Sequence, residues 1–229
     1  MSHYAVAVFC NSPDSDDFDE LLDPYGESLH LVFTPVPEAE IRKRFDDFMN
    51  HSFADLTYEK YVEMYYDSKL DDNGKTVYGY YENPNAKWDY YSLDGKDYMF
   101  DPLEGHDMTT EGFYRKSDID WYKETGTPER EEELHLLWKK YIIEGDGFYN
   151  SDYYHLRYGT EEQFVKEAMR PPFPYAFITP DGKWHAPGNI GWFALSDETA
   201  ESMDAYYEEF KDFIDNAPDC YVSLVDCHI

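Results

Sequence analysis

The chain has 229 residues, and its 49 Asp and Glu residues outnumber its 19 Lys and Arg residues, which gives a formal net charge of −30 at pH 7. Acid-rich disordered chains are poor in aromatic residues, whereas 19% of the residues here are Phe, Trp or Tyr. The composition therefore argues against a disordered acidic tail and predicts a folded protein with a strongly negative surface. Such a surface repels nucleic acid and anionic membranes, and it attracts the basic clefts in which proteins hold DNA or RNA.

Length and residue patterns predict one domain that spans residues 1–229, because no linker divides the chain. No stretch approaches the roughly 18 consecutive apolar residues that a membrane span needs, and the first residues lack the basic segment of a signal peptide. The three cysteines, Cys10, Cys220 and Cys227, are too few for a disulfide framework and favour reduced thiols. We therefore expect a cytoplasmic protein without a membrane partner.

The first third of the chain predicts two strands and two helices. The strands are Tyr4–Cys10, which is apolar and β-branched, and Leu29–Phe33. The first helix places Ile41 and Phe45 at helical spacing, and the second is expected to begin at the capping residue Asp55.

Two helices in the middle of the chain are predicted from their end signals. Thr127 is a capping residue, Pro128 suits the first helical position, and the glutamates that follow agree with the helix macrodipole. Thr160 and Gln163 have the spacing of a capping box, which predicts a shorter helix after them.

The last third predicts a hairpin, a helix and a closing strand. Tyr175–Thr179 and Trp184–His185 form the hairpin, because the residues between them have the Pro and Asp-Gly chemistry of a tight turn. A helix is expected from Ser196 to about residue 216, and Tyr221–Ile229 is expected to be a strand. These elements predict a single α+β domain, in which a mixed or antiparallel sheet contains both terminal strands and packs against several amphipathic helices.

Two acidic clusters are candidate binding surfaces for a basic partner. The first lies along one side of the helix predicted from Ser196 and consists of Glu201, Asp204, Glu208, Asp212 and Asp215. The second follows the first strand, where residues 11–17 are predicted to form turns, and includes Asp14, Asp16, Asp17, Asp19 and Glu20. A solvated helix face has the same pattern. The alternative is a surface that replaces the phosphates of a nucleic acid, because the spacing of carboxylates along a helix is similar in scale to that of phosphates along a strand.

Aromatic residues offer a second kind of site. A pocket for a small ligand or a nucleotide signal could be lined by Trp88, Tyr90, Trp184, His185 and Trp192. Stacking on the bases of a nucleic acid is disfavoured, because base-stacking platforms lie in basic grooves. Core packing accounts for most aromatic clusters, and exposed tyrosines are also suitable interface anchors.

The evidence for catalysis is thin. Phosphate-binding loops, nucleophile elbows, dinucleotide fingerprints and zinc-protease motifs are absent from the sequence. Asp226 and His228 fall on one face of the last strand and Cys227 on the other, so these three cannot act together. A metal site from Asp226 and His228 would need a further ligand such as His185 or His3. We therefore expect no cofactor, no metal and no catalytic residues.

Four segments resemble a family of phage and prophage accessory proteins. They are 83–91 (NPNAKWDYY), 179–185 (TPDGKWH), 21–27 (LLDPYGE) and the ending 225–229 (VDCHI). The family carries no established activity. Its pattern continues with Gly-Gly-Arg-Trp at the place where this chain has Leu93-Asp94-Gly95-Lys96. The resemblance implies a phage context and thus a bacterial host cell.

Acidity and phage context together predict a counter-defence protein of the anti-CRISPR kind. It would use its acidic surface as a mimic of nucleic acid and would inhibit a bacterial immunity effector, such as a CRISPR effector, by occupying its basic nucleic-acid-binding cleft. It would not bind nucleic acid directly. The alternatives are a small-ligand binding protein that uses the aromatic pocket and, with less support, a metal-dependent enzyme that uses His185, Asp226 and His228.

Overall fold

The computed structural model describes residues 3–51, 56–93, 101–109, 112–123, 126–190 and 196–229. The strands in these residues are β1 His3–Cys10, β2 Val32–Pro35, β3 Asp67–Leu70, β4 Thr76–Glu82, β5 Tyr90–Ser92, β6 Tyr114–Arg115, β7 Ala176–Ile178, β8 Trp184–His185 and β9 Tyr221–His228. The α-helices are α1 Ser15–Leu22, α2 Glu38–His51, α3 Tyr58–Tyr65, α4 Pro128–Trp138, α5 Ser151–Tyr158, α6 Glu161–Ala168 and α7 Ala200–Asn216. A π-helical segment, Lys139–Ile143, continues α4. The predicted α+β class is confirmed.

The chain divides into two compact units. The large unit contains Met1–Asp23 and Lys87–Ile229, and the small unit contains Pro24–Ala86. Each unit has its own sheet. Whether the two units behave as the one domain predicted from the sequence stays a prediction.

The sheet of the large unit has β1 and β9 at its centre. Its strand order is β5-β9-β1-β7-β8, and β6 pairs with β9 as well. β1 and β9 are antiparallel along their whole length, from His3 opposite His228 to Cys10 opposite Tyr221. β7 runs parallel to β1 on the other side, and β8 returns antiparallel to β7 as the predicted hairpin. The prediction that both terminal strands lie in one mixed sheet is therefore confirmed.

Each face of this sheet is covered by a helix. On the α7 face, Phe9, Phe177 and Leu224 pack against Tyr206 and Phe210 of α7 in the main core. On the opposite face, called the α1 face, Phe18 of α1 contacts Tyr91 of β5, and Leu22 is fully buried. Alternation along the strands decides which side chains point to which helix.

The helix α7 begins later than predicted. Its N-cap is Thr199, whose hydroxyl accepts a hydrogen bond from the N–H of Ser202, while the Ser202 hydroxyl accepts one from the N–H of Thr199. This reciprocal capping box fixes the start at Ala200. Ser196, the predicted cap, instead forms an isolated bridge with Ile190. The end at Asn216 agrees with the prediction.

A buried lysine closes the C-terminal end of α7. Lys116 is 6% exposed, and its Nζ donates hydrogen bonds to the carbonyl oxygens of Ile214, at 2.8 Å, and Ala217, at 2.6 Å. These carbonyls have no partner within the helix, and the negative end of the helix dipole favours a cation there. Lys116 therefore ties the segment after β6 to the end of α7.

The small unit packs two helices on a three-stranded sheet. Its strand order is β2-β4-β3, and Ile41, Tyr61, Val62 and Tyr66 form the core beneath α2 and α3. The strand predicted at Leu29–Phe33 begins three residues later and ends two residues later, at Val32–Pro35. Pro35 is tolerated in it because β2 is an edge strand. Thr57 caps α3; the predicted cap, Asp55, lies outside the described residues.

In the part of the chain that the structure describes, no helix combines the length and the apolar character that crossing a membrane requires.

Replacement of Lys116 tests how much its hydrogen bonds to the last carbonyl groups of α7 stabilise the fold. We expect Lys116→Met to lower the free energy of unfolding by about 1–3 kcal/mol, because two buried carbonyl groups lose their donor. The measurement is urea unfolding followed by tryptophan fluorescence, since Trp121 packs against Phe9 and Phe210 in the same core. Lys139→Met is the control, because Lys139 is exposed, and it should change stability by less than about 0.5 kcal/mol. Equal effects of the two substitutions would contradict the role of Lys116.

Candidate functional site

The acidic side of α7 is partly neutralised by residues from elsewhere in the large unit. Asp204 accepts hydrogen bonds from Lys166 Nζ, at 2.7 Å, from Gln163 Nε2, at 3.0 Å, and from Arg170. Burial raises the pKa of Asp204, but these three donors outweigh it and lower the pKa to about 2. Asp204 is thus ionised at neutral pH, and two basic side chains balance its charge.

The remaining carboxylates of α7 differ in their contacts. Asp215 accepts hydrogen bonds from the Tyr122 hydroxyl, at 2.6 Å, and from Lys211 Nζ, at 2.9 Å, and these bonds lower its pKa. Asp212 accepts one from the side chain of Asn216. Glu201 and Glu208 are exposed and form neither a hydrogen bond nor an ion pair within the described residues. The bases that pair with Asp204 lie outside α7, on α6 and just after it, so the sequence of the helix alone could not show this pairing.

The second acidic cluster is a helix rather than the predicted turns. Asp14 is the N-cap of α1, and its carboxylate accepts a hydrogen bond from the N–H of Asp16. Phe18 and Leu22 point into the core. With 3.6 residues per turn, Asp16 and Glu20 then project from the opposite side, and Asp19 lies on the flank of the helix. α1 therefore presents a convex acidic surface to solvent.

The carboxylates of α1 lack basic partners within the described residues. None of Asp14, Asp16, Asp17, Asp19 and Glu20 pairs with a Lys or Arg side chain among the residues that the structure describes. Asp19 accepts a hydrogen bond from the Tyr91 hydroxyl, at 2.6 Å, and burial together with this bond raises the pKa of Tyr91. A neutral phenol does not reduce the charge of the carboxylate. We call these five residues the α1 acidic surface.

Most of the described basic residues pair with carboxylates of the same chain. Most described Lys and Arg side chains form ion pairs with carboxylates: Arg42, Arg44, Arg115, Lys123, Arg130, Lys140, Arg157, Lys166, Arg170, Lys183 and Lys211. The most deeply buried of these ion pairs join Arg157 to Glu167 and Glu198, since all three side chains are almost buried. The excess of acid therefore remains on the surface, and α1 is one of the places where it is concentrated.

The described residues of the predicted aromatic pocket are divided between the two faces of the sheet. Tyr90 is on β5 and His185 is on β8, at opposite edges of the sheet. Trp184 packs against Tyr4 and Trp88 against Tyr91, both on the α1 face, whereas Tyr90 and His185 belong to the α7 face. Trp192 lies outside the described residues. The sequence could not reveal this separation, because strand order and strand faces depend on long-range pairing.

His185 has a defined environment of its own. Its ring stacks on Phe177, with centroids 4.5 Å apart, and Nδ1 lies 2.9 Å from Oε1 of Glu209. A carboxylate can only accept, so Nδ1 carries the proton. The buried Nε2 atom has no hydrogen-bond partner among the described residues. It is an acceptor whenever the ring is neutral.

Two histidine–aspartate pairs lie together at the other end of the sheet. Nδ1 of His228 is 2.6 Å from Asp89, Nδ1 of His3 is 2.9 Å from Asp226, and Tyr90 stacks on His228. Burial raises the pKa of Asp89, but hydrogen bonds from His228 and from a backbone N–H outweigh it and lower the pKa. His3 therefore joins Asp226 and His228, as one predicted alternative required.

The other predicted metal ligand, His185, does not join them. Its strand, β8, is separated from β9 by β1 and β7. No group of three or more His, Cys, Asp or Glu side chains in the described ranges is arranged to hold a metal ion. Cys227 points to the α1 face, away from Asp226 and His228, as predicted. Burial raises the pKa of its thiol.

A groove lies where several elements of the large unit end. β1 and β7 are parallel, with Val8 opposite Ile178, so both strands end on the same side of the sheet. We call this side, where the strands end, the strand-end edge. Asn11 follows β1, and Thr179 follows β7. The antiparallel strand β9 begins at this edge. In open α/β sheets, the carboxyl ends of parallel strands are the usual position of ligand sites.

Two neighbouring cavities form this edge groove. One has a volume of about 410 Å³ and is bounded by Phe213, Asp219 and His185. The other has a volume of about 340 Å³ and is bounded by Asp17 and Glu20 of α1. Asn11, Pro180 and Asp181 line both. The acidic surface of α1 therefore continues into a concave site.

The turn between β7 and β8 shapes one wall of the edge groove. Gly182 closes this turn with a φ of 80°, a value that glycine adopts without strain. Asp181 accepts hydrogen bonds from the Thr179 hydroxyl and from Lys183 Nζ, both at 2.6 Å, and these bonds lower its pKa to about 2. The sequence analysis recognised this turn but missed the groove, because only the parallel pairing with β1 reveals it.

Comparisons of the chain with protein-family models, with curated proteins and with solved structures gave no match. The resemblance to phage accessory proteins stays a prediction.

The pairing of Asp204 predicts a pH dependence of stability. Its folded-state pKa of about 2 lies below the unfolded value of about 3.9, so its contribution is present above about pH 4 and is lost as the pH falls through 2. We expect Asp204→Asn to lower the free energy of unfolding by about 1–2 kcal/mol at neutral pH, after allowance for partial exposure. Urea unfolding between about pH 6 and pH 2 should show the difference from the wild type shrinking toward the acid end. Asp212→Asn, on the same helix, is the control and should have little effect at any pH.

Proposed function

We propose that this protein binds the basic nucleic-acid-binding cleft of a partner protein and thereby blocks access of DNA or RNA to that cleft. In the phage context that the resemblance implies, the partner is a bacterial immunity effector, such as a CRISPR effector. The observation that carries the proposal is the α1 acidic surface, whose carboxylates pair with no Lys or Arg side chain in the part of the chain that the structure describes.

The arrangement of α1 supports this use. Carboxylates three or four residues apart on a helix are about 4.5–6 Å apart along the axis, which is similar in scale to successive phosphates. Asp16 and Glu20 are one such pair. Like charges at this spacing cost a few tenths of a kcal/mol each. Their presence without a basic partner among the described residues favours a binding role over a structural one.

The two acidic clusters do not contribute equally to the proposed interface. On α7, Asp204 and Asp215 already interact with bases of the same chain. Glu201, Glu208 and Asp212 remain available at the surface. The α1 acidic surface is therefore assigned the main contact with the partner, and α7 a secondary one. Exposed tyrosines, such as Tyr122 beside α7, are available as additional contact area.

The alternative functions have less support. The small-ligand pocket predicted from the aromatic residues loses its basis, since Tyr90 and His185 lie at opposite edges of the sheet. The metal-dependent enzyme loses His185 as a ligand for the same reason.

Capture of the partner tests the proposal. The tagged protein is incubated with bacterial lysate at about 0.1 M and about 0.5 M salt, which shortens the Debye length from about 10 Å to less than half of that. We expect a nucleic-acid-binding protein to be retained at low salt, released at high salt and displaced by added duplex DNA or RNA. Retention of proteins that nucleic acid does not displace would contradict the proposal.

Charge variants locate the interface. One variant carries Asp16→Asn, Asp17→Asn and Glu20→Gln on α1, and the matched variant carries Glu201→Gln, Glu208→Gln and Asp212→Asn on α7. Both remove three charges, and these side chains are exposed. We expect the α1 variant to lower the affinity for the partner at least about tenfold and to reduce the salt dependence of binding. The α7 variant should lower the affinity by less. Binding by titration calorimetry is the readout, and circular dichroism confirms folding. A larger loss from the α7 variant would overturn the assignment to α1.

A further inference from the structure

The edge groove has the chemistry of a site for one side chain of the partner. We propose that its larger cavity receives an arginine side chain from the basic partner, and that this arginine anchors the complex. The inference rests on the proposed function for its partner, but the groove can be tested without one.

The size and position of the groove suit an inserted side chain. Its larger cavity, of about 410 Å³, lies within the range of about 300–1,000 Å³ that is usual for ligand pockets. Its entrance adjoins the α1 acidic surface, because the neighbouring cavity is lined by Asp17 and Glu20. A partner that binds α1 therefore lies over the groove.

The wall of the larger cavity contains hydrogen-bond acceptors that a ligand with N–H donors can bind. Asp181 and Asp219 are carboxylates. They already accept from Lys183 and Arg115, and they keep lone pairs for further donors. Nε2 of His185 is a further acceptor when the ring is neutral, and it has no partner among the described residues. Guanidinium carries five N–H donors and no acceptor, so it matches such a wall better than any other side chain does. Two bases already pair with these carboxylates: Lys183 with Asp181 and Arg115 with Asp219. Both basic side chains are at least half exposed.

The rest of the larger cavity suits the apolar part of an arginine. Its lining includes Phe213, Ala217, Pro218 and Cys220, which offer carbon and sulfur surface for a methylene stem. An aromatic ring such as that of Phe213 can also interact favourably with a guanidinium group. A short hydrophilic cation would leave the apolar lining uncovered, and a phosphate would bring further acceptors to a wall of acceptors.

Titration with a small probe tests the groove directly. N-acetyl-arginine amide is added to the full, isotope-labelled chain, and N-acetyl-citrulline amide, its neutral counterpart, is the control. We expect saturable chemical-shift changes at the amides of Thr179, Gly182 and Cys220 with arginine and none with citrulline. Equal chemical-shift changes with both probes, or no saturable change with the arginine probe, would contradict the inference.

A substitution that fills the groove provides the second test. Asn11 is exposed and lines both cavities, so Asn11→Arg places a guanidinium of the chain itself in the groove. Asn73→Arg makes the same change of charge in the Asp71–Gly74 turn of the small unit and is the matched control. We expect Asn11→Arg to abolish the chemical-shift changes caused by the arginine probe. It should also lower the affinity for the captured partner by at least about tenfold, whereas Asn73→Arg should lower it by less than about twofold.

The outcomes separate this inference from the proposed function. If a nucleic-acid-binding partner is captured and Asn11→Arg binds it as tightly as Asn73→Arg does, the groove is not the anchor although the proposed function stands. If the arginine probe binds in the groove and no nucleic-acid-binding partner is found, the proposed function fails although the site exists.

Discussion

The pairing of the first strand with the last is the interaction on which the large unit depends. β1 and β9 form eight consecutive residue pairs at the centre of the sheet. β5 and β6 pair with β9, β7 pairs with β1, and β8 is attached through β7. At one end, this pairing brings His3 beside His228. At the other, it places the start of β9 beside the end of β1, where the edge groove opens. Both features exist only because residues more than 200 positions apart in the chain are hydrogen-bonded neighbours.

A second constraint is the shortage of bases. With 19 Lys and Arg residues against 49 acids, the bases cannot balance every carboxylate. The fold places several of them where an uncompensated group would be most costly: Arg157 between two nearly buried glutamates, and Lys116 at the carbonyls that end α7. Buried charges require such partners, whereas exposed carboxylates are stabilised by water. The consequence is that unbalanced acid accumulates on exposed helices such as α1.

Local signals in the sequence predicted the elements that begin or end at recognisable capping or turn residues. The cap at Thr127, the hairpin around the Asp-Gly turn and both terminal strands were confirmed. α1 was missed because its acids favoured turns, although the spacing of Phe18 and Leu22 is helical. The start of α7 was misplaced because Ser196 and Thr199 are equally good caps alone, and only the reciprocal bond with Ser202 distinguishes them. Sites made from several strands could not be predicted, since order and face depend on pairing between distant segments.

The adjacency of the α1 acidic surface and the edge groove bears on specificity. Long-range charge attraction accelerates association with any basic surface, but it discriminates poorly among basic proteins and weakens as salt increases. A concave site that demands both donors and an apolar stem adds a short-range requirement that salt screens much less. Because Asp17 and Glu20 belong to the helix and also line the groove, the same contact would combine attraction with selection. A protein of charge −30 needs such a device, since its charge alone would attract most basic surfaces in a cell.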